Sequence, residues 1–243
     1  MTKRSTYFLL ACIIMLAVSP AWADTLRIVT VSLPPYGYTD KGKDTGLSYE
    51  LCNLIAHEAG FESENRIVPL SRAMEDIATN KADMILMLAN EKIITCATNL
   101  GQLFVVETII LGRADSRYRS LKDVRGKTVA TVRDAKYDAR ISKENGFILY
   151  PTTNYSQSLK MLLAKRVDAV IGPKLGLYYT AKISNYPRQA FGDPLVLSMA
   201  KASIFISDKT TDDISKRISA AMTKIRNNGS AHRLMEEYAS QLR

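Results

Sequence analysis

Apolar and polar positions along this chain follow one pattern twice. The stretch Ser71 to Leu86, SRAMEDIATNKADMIL, aligns without a gap on Ser156 to Ile171, SQSLKMLLAKRVDAVI, at an offset of 85 residues. In both copies the apolar residues (Met74, Ile77, Ala78; Leu159, Leu162, Leu163) recur at the three- and four-residue spacing of one helix face. The leading Ser of each copy is placed to cap that helix, a basic residue (Lys81, Arg166) ends it, and an Asp (Asp83, Asp168) then opens a buried strand, Met84 to Leu88 and Ala169 to Ile171.

The likeness continues upstream. Arg66-Ile-Val-Pro and Ile148-Leu-Tyr-Pro are short strands leading into the two copies, and Leu26 to Val31 and Thr128 to Val132 are earlier strands. A loop and a helical stretch follow each early strand, Ser48 to Ala59 in the first half and about Tyr137 to Lys143 in the second. Each half therefore reads β-loop-α-β-α-β, the alternation of an α/β fold with a largely parallel sheet. Beyond the second copy the pattern predicts strands at Leu195 to Leu197 and Ser203 to Ile206. A long amphipathic helix comes next, capped by Thr211, with Asp212 and Asp213 at its positive end and Ile214, Ile218, Met222 and Ile225 on one face. Asn227-Asn228-Gly229 stops it, and Ser230 to Leu242 is a terminal helix. This tail has no counterpart in the first half, so the chain is expected to return there, giving two lobes joined by two crossings and a hinge. The expected division is lobe one at 24–111, completed by 198–243, and lobe two at 112–197.

The start of the chain bears on location. Lys3 and Arg4 precede an apolar run from Tyr7 to Val18, and Ala21-Trp22-Ala23 offers a cleavage site, so residues 1–23 read as a secretory signal peptide cut near Ala23-Asp24. The rival reading, lipidation at Leu9-Leu10-Ala11-Cys12, leaves the apolar stretch Ile13 to Val18 beyond the cut. No later stretch reaches the ~20 apolar residues of a membrane span, so a soluble, periplasmic protein is expected. Cleavage lowers the formal charge from +9 to +7, 31 basic against 24 acidic residues. The basic residues are scattered, without the concentrated face that nucleic-acid binding needs. Only Cys52 and Cys96 survive cleavage; an oxidising compartment permits a bridge between them, and two separate thiols fit the pattern equally.

Several segments together carry a resemblance: Pro34-Pro35-Tyr36, Thr45-Gly46-Leu47-Ser48-Tyr49-Glu50-Leu51, Lys81-Ala82-Asp83, Leu121-Lys-Asp-Val-Arg-Gly-Lys-Thr-Val-Ala and Arg166-Val-Asp-Ala-Val-Ile-Gly. In this order they resemble the extracellular solute-binding proteins of family 3, the amino-acid-type binding components of ABC importers. The resemblance implies the two-lobed periplasmic binding protein type II fold. It also implies a hinge that closes over a small-molecule ligand and, as partner, an inner-membrane ABC permease or a signalling receptor. It implies no cofactor and no metal, and a monomer is expected.

The chain departs from the family where ligand is usually held. The Arg of a T-x-E-R-like segment is Lys92 in Asn90-Glu91-Lys92, the hydroxyl of a G-T/S segment is Ala135 in Asp134-Ala135-Lys136, and the acid after the second-copy strand is Pro173, followed by Lys174. Lys meets a carboxylate without the bidentate fork of Arg, and Pro173 has nothing to accept from an ammonium, so an ordinary α-amino acid is not expected. Candidate ligand-binding residues are Tyr36, Arg72, Asn90, Lys92, Arg133, Tyr137 and Lys174. Arg72 sits at a helix start, where free N–H groups favour anions. The four cations point to an acidic or polar solute, with pairing to Glu91 and Asp134 as the alternative for their neighbours. Tyr36 and Tyr137 offer aromatic platforms with hydroxyl handles, and Glu50 starts a helix. An enzyme is not expected. His57 and His232 lie outside any motif, Val170 to Tyr179 holds no carboxylate, and a dehydratase or lyase on the same fold needs an acid or base in the cleft.

Overall fold

The computed structural model describes residues 24–242, so the expected signal peptide lies outside the described residues. The first half runs β1 (Thr25–Val31), a hairpin of β2 (Tyr38–Asp40) and β3 (Lys43–Thr45), α1 (Leu47–Glu58), β4 (Glu62–Val68), α2 (Leu70–Ala78) and β5 (Met84–Leu88). One helical turn, α3 (Glu91–Ile94), leads into the long strand β6 (Ala97–Gly112). The second half has β7 (Thr128–Val132), β8 (Ile148–Thr152), α4 (Tyr155–Leu163), β9 (Ala169–Pro173) and α5 (Lys174–Ile183). The long strand β10 (Leu195–Ser207) and the helices α6 (Asp212–Asn227) and α7 (Ser230–Ser240) complete the chain.

The internal repeat is physical. Helices α2 and α4 begin at Leu70 and Tyr155, and strands β5 and β9 at Met84 and Ala169, all at the offset of 85 seen in the sequence. In each half the strand-opening Asp ties down the first strand. The Asp83 carboxylate accepts the Arg27 amide at 2.9 Å, and its own amide donates to the Arg27 carbonyl at 2.7 Å. Asp168 repeats both bonds with Thr128, at 2.9 and 2.8 Å. The residues that turn each helix into its strand, Asn80 and Lys165, share φ 57°. This is why the Asp recurs: it satisfies a strand-end N–H that would otherwise be orphaned.

Several local expectations are corrected. Neither Ser71 nor Ser156 caps its helix; Pro69 and Asn154 hold those positions, and the Asn154 side chain accepts the Gln157 amide at 2.9 Å. Thr211 does cap α6, and Gly229 ends its run at φ 73°. The helix expected at about Tyr137 to Lys143 is absent, replaced by turns. Between paired strands the first half spans Ile28 to Met84 and the second only Val129 to Ala169, too little for a counterpart of α1. The Asp138 side chain instead accepts the Arg140 amide at 3.0 Å, the local bond that competes with helix. The strands expected at Leu195 and Ser203 are one strand, β10, with register shifts at Val196/Ser198, Ala202/Ser203 and Ile204/Phe205. Cys52 and Cys96 are both free.

One sheet of order β4-β1-β5-β10-β6-β9-β7-β8 runs through both halves. Of β10, only Ala202–Ile206 pairs with β5, and of β6, only Thr108–Gly112 pairs with β9. Between these blocks Val105–Glu107 and Met199–Lys201 pair with each other alone, a bare two-stranded ribbon linking the lobes. The first lobe packs Leu26, Ile28, Leu51 and Ile55 against Ile218, Met222 and Ile225 of α6. A smaller core, Val129, Ile141, Phe147 and Ile171, lies in the second. A third cluster joins Val29, Met74 and Ile85 of one half to Tyr155, Leu159 and Leu177 of the other. Among the described residues no helix is long and apolar enough to cross a membrane.

Candidate functional site

Where the lobes meet, the strand ends and helix starts of both halves enclose a cavity of about 90 Å³. The first half contributes Val31, Leu33, Tyr36, Leu70, Met87 and Leu88, the long strands Phe104, Val106 and Ala202, and the second half Ala135, Lys136, Tyr137, Tyr155 and Pro173. The lining inherits the repeat, since Leu70 and Tyr155 occupy equivalent first positions of α2 and α4, and Leu88 and Pro173 equivalent positions at the ends of β5 and β9.

Tyr36 is held by its backbone. Its carbonyl accepts the Ser48 amide at 2.9 Å, and Pro35 accepts the Leu47 amide at 2.8 Å, so the first turn of α1 is stitched to the loop. The approach requires glycine at 46: φ there is 126°, and a Cβ would stand 2.6 Å from the Tyr36 carbonyl oxygen. The Tyr36 hydroxyl is buried without a hydrogen-bond partner, the Gly176 amide leaning on its oxygen without completing an aligned bond. Tyr137 and Tyr155 join hydroxyls at 3.2 Å. Burial is the chief reason that all three phenols titrate well above their ordinary value, so they stay neutral donors.

The lobes are closed on each other by direct bonds. Lys136 Nζ meets Glu91 Oε2 at 2.5 Å, Ser71 donates to Asp134 at 2.5 Å, and the Tyr179 hydroxyl donates to Tyr38 at 2.9 Å. Lys182 donates to the Gln241 carbonyl near the chain end.

Of the residues singled out from sequence, the structure brings Tyr36, Asn90 and Tyr137 together around the cavity. Asn90 is partly committed: its Oδ1 caps α3 through the Ile93 amide at 2.9 Å. Arg72, Lys92, Arg133 and Lys174 stand outside the cavity lining. Arg72 Nε lies 2.8 Å from Asp76 Oδ1, whose carboxylate is fully buried and also meets Arg66 at 3.2 Å. The Arg72 contact is short, but its N–H is not aimed at the oxygen, so it acts as a charge contact more than a hydrogen bond. Lys174 pairs with Glu107 of β6 at 2.5 Å, while Lys92 and Arg133 are exposed. Sequence reasoning missed Tyr155, Leu70, Gly176 and the Lys136–Glu91 bridge. Extending the repeat one residue upstream of Ser71 and Ser156 would have found the first two.

Two α/β lobes, an internal repeat, a paired-strand crossover and a cavity between the lobes define a two-lobed binding protein of periplasmic type II. The chain belongs to the bacterial extracellular solute-binding proteins, family 3, whose profile it matches over residues 26–241. The probable amino-acid-binding protein YxeM of Bacillus subtilis is 25% identical over 213 residues, covering 85% of this chain and 80% of that one. Among solved structures, an ancestral arginine-binding protein bound to arginine is similar at TM-score 0.76 and 20% identity, covering 89% of this chain and 99% of that one. A histidine kinase sensor domain with similarity to periplasmic binding proteins reaches TM-score 0.77 at 21% identity, over 89% of this chain and 96% of that one. These relatives are described as binding or sensing proteins.

Proposed function

We propose that the mature chain, exported to the periplasm and monomeric, is a solute receptor: two lobes, divided at the ribbon of Val105–Glu107 and Met199–Lys201, a few residues from the 111/112 and 197/198 divisions expected from sequence, close over a small molecule and present it to an ABC permease. The observation that carries this reading is the cavity lined from both lobes, which Lys136–Glu91 and Ser71–Asp134 bridge. A ligand touching Tyr36 on one lobe and Tyr137 and Tyr155 on the other gains contacts only in the closed state, which is the differential affinity that shifts an open-closed equilibrium. The bare ribbon of Val105–Glu107 and Met199–Lys201 is the segment that bends. The four cations Arg72, Lys92, Arg133 and Lys174 lead to the expectation of a polar or anionic solute; with none of the four in the lining, the cavity itself favours an uncharged one. The kinship of fold with a histidine kinase sensor domain supports a second reading, in which the closed form docks on a signalling receptor.

The test is a thermal-shift screen of residues 24–243 against amino acids, small carboxylates, amines and neutral aromatic compounds. A solute at a hundredfold its Kd stabilises the fold by about 2.7 kcal/mol, a rise in Tm of roughly 5–10 °C for a chain of this size. Absence of any shift across the screen counts against a solute receptor. Stimulation of ATP hydrolysis by a reconstituted ABC permease, on adding the loaded protein, separates delivery from sensing.

A further inference from the structure

The charges of the cleft are spent on each other. Lys136 is the one charged side chain among the residues lining the cavity, and Glu91 of the opposite lobe neutralises it at 2.5 Å. The rest of the lining is aliphatic or aromatic apart from Ser48 and Asn90, and the Asn90 carbonyl oxygen is occupied by the Ile93 amide. At the end of β9, Pro173 offers neither a carboxylate nor an N–H. An α-amino acid brings an ammonium and a carboxylate, and burying either without a counter-charge is unfavourable. To hold one here, the protein would have to open its own ion pair.

One polar group bordering this apolar surface lacks a partner: the hydroxyl of Tyr36, fully buried in the closed form behind the ring that meets Gly176 of the opposite lobe, and beside the mutually bonded hydroxyls of Tyr137 and Tyr155. It is a donor awaiting an acceptor. Resting on the reading of the cavity as the solute site, the geometry points to a small uncharged solute with an apolar, ring-sized body and a hydrogen-bond acceptor, of the class of aromatic alcohols and ketones. The body packs between Tyr36, Tyr155, Met87 and Phe104, and its oxygen accepts a hydrogen bond from the Tyr36 hydroxyl as the lobes part to admit it. The closed cavity of about 90 Å³ is smaller than the ~150 Å³ apolar cavity that admits benzene. Uptake of one ring therefore parts the lobes slightly at the Lys136–Glu91 bridge.

The experiment is calorimetric titration of residues 24–243, unfolded and refolded to strip any carried ligand, with benzyl alcohol, acetophenone, benzoate, phenylalanine and arginine. Benzyl alcohol or acetophenone binds at least about tenfold more tightly than phenylalanine or benzoate, which carry the same ring with charge. Tyr36→Phe, which keeps the shape, weakens acetophenone binding by about fivefold, the size of one neutral hydrogen bond. Circular dichroism shows whether the variant folds. Tighter binding of phenylalanine or arginine overturns the inference, as does no heat from either neutral compound. An amino acid that binds and compacts the protein in solution scattering removes this inference and leaves the receptor reading standing. A solute of either kind that binds without any change in scattering removes hinge closure instead.

Discussion

Replacing Arg72 by Ala separates a ligand contact from a structural one. Asp76, on the inner side of α2, has no exposed surface, and its two oxygens face Arg72 at 2.8 Å and Arg66 at 3.2 Å. Leaving a buried carboxylate with no partner costs about 3–5 kcal/mol. Arg66 remains in the variant, and the Arg72 side chain is 47% exposed, which screens its share. The expected loss is therefore about 1–2 kcal/mol, or a fall in Tm of roughly 2–8 °C at about 2–4 °C per kcal/mol for a chain of this size. Arg72→Lys, which keeps the charge, recovers part of it. Because Arg72 does not line the cavity, affinity for whichever solute the thermal screen identifies stays within about twofold, less than 0.5 kcal/mol. Differential scanning calorimetry and titration on the same preparation measure both. An unchanged Tm with a tenfold loss of affinity would refute the reasoning and put the guanidinium on the solute.

Gly176→Ala places a Cβ 2.6 Å from the Tyr155 ring and 3.2 Å from that of Tyr36, one on each lobe, at a cost of about 1–3 kcal/mol of overpacking. The variant is expected to melt earlier and to be more open by solution scattering, and parental values for both would show that the rings yield freely. Cys52 is fully buried with its thiol pushed up to about 12 by desolvation, whereas Cys96 is partly exposed. An aromatic disulfide reagent at pH 8 should therefore label Cys96 in the folded mature protein and Cys52 only after unfolding; no label before reduction would mean the two are bridged. The Arg140 guanidinium, chiefly, holds the Asp138 carboxyl below its usual range, and Arg140 also bonds the Leu197 carbonyl of β10 at 2.6 Å. A depressed carboxyl contributes stability that is present above its unfolded value near ~4 and is lost as pH falls through the lower folded value. Thermal melts between pH 5 and 3 should show a steeper decline for the parent than for Asp138→Asn, and parallel declines would remove Asp138 from the account.

The two-lobed fold was legible because a helix face and a buried strand recur at one fixed offset, and because the tail from Thr211 onward had no twin. Local chemistry was read less well. Tyr137 and Ile141 stand four apart as on a helix, yet Ile141 is drawn into the small second-lobe core and Asp138 turns the chain instead. Tyr36 and Tyr137 could be found as aromatics in loops next to strand ends. Tyr155 was hidden as the residue just before a recognisable motif. The cations were misleading for a physical reason: where a long Arg or Lys points depends on the carboxylate that folding brings to it. Asp76 lies four residues from Arg72, but Glu107 meets Lys174 and Glu91 meets Lys136 only through the tertiary fold.

Closure is the central claim, and solution scattering of the stripped mature protein with and without a saturating solute tests it most directly. A compact chain of about 220 residues has a radius of gyration near ~17 Å. The account predicts a larger value for the stripped protein and a fall toward the compact one on adding solute, with the interlobe bond Ser71–Asp134 formed in the loaded state. Curves that overlay while the same solute raises the melting temperature would contradict it.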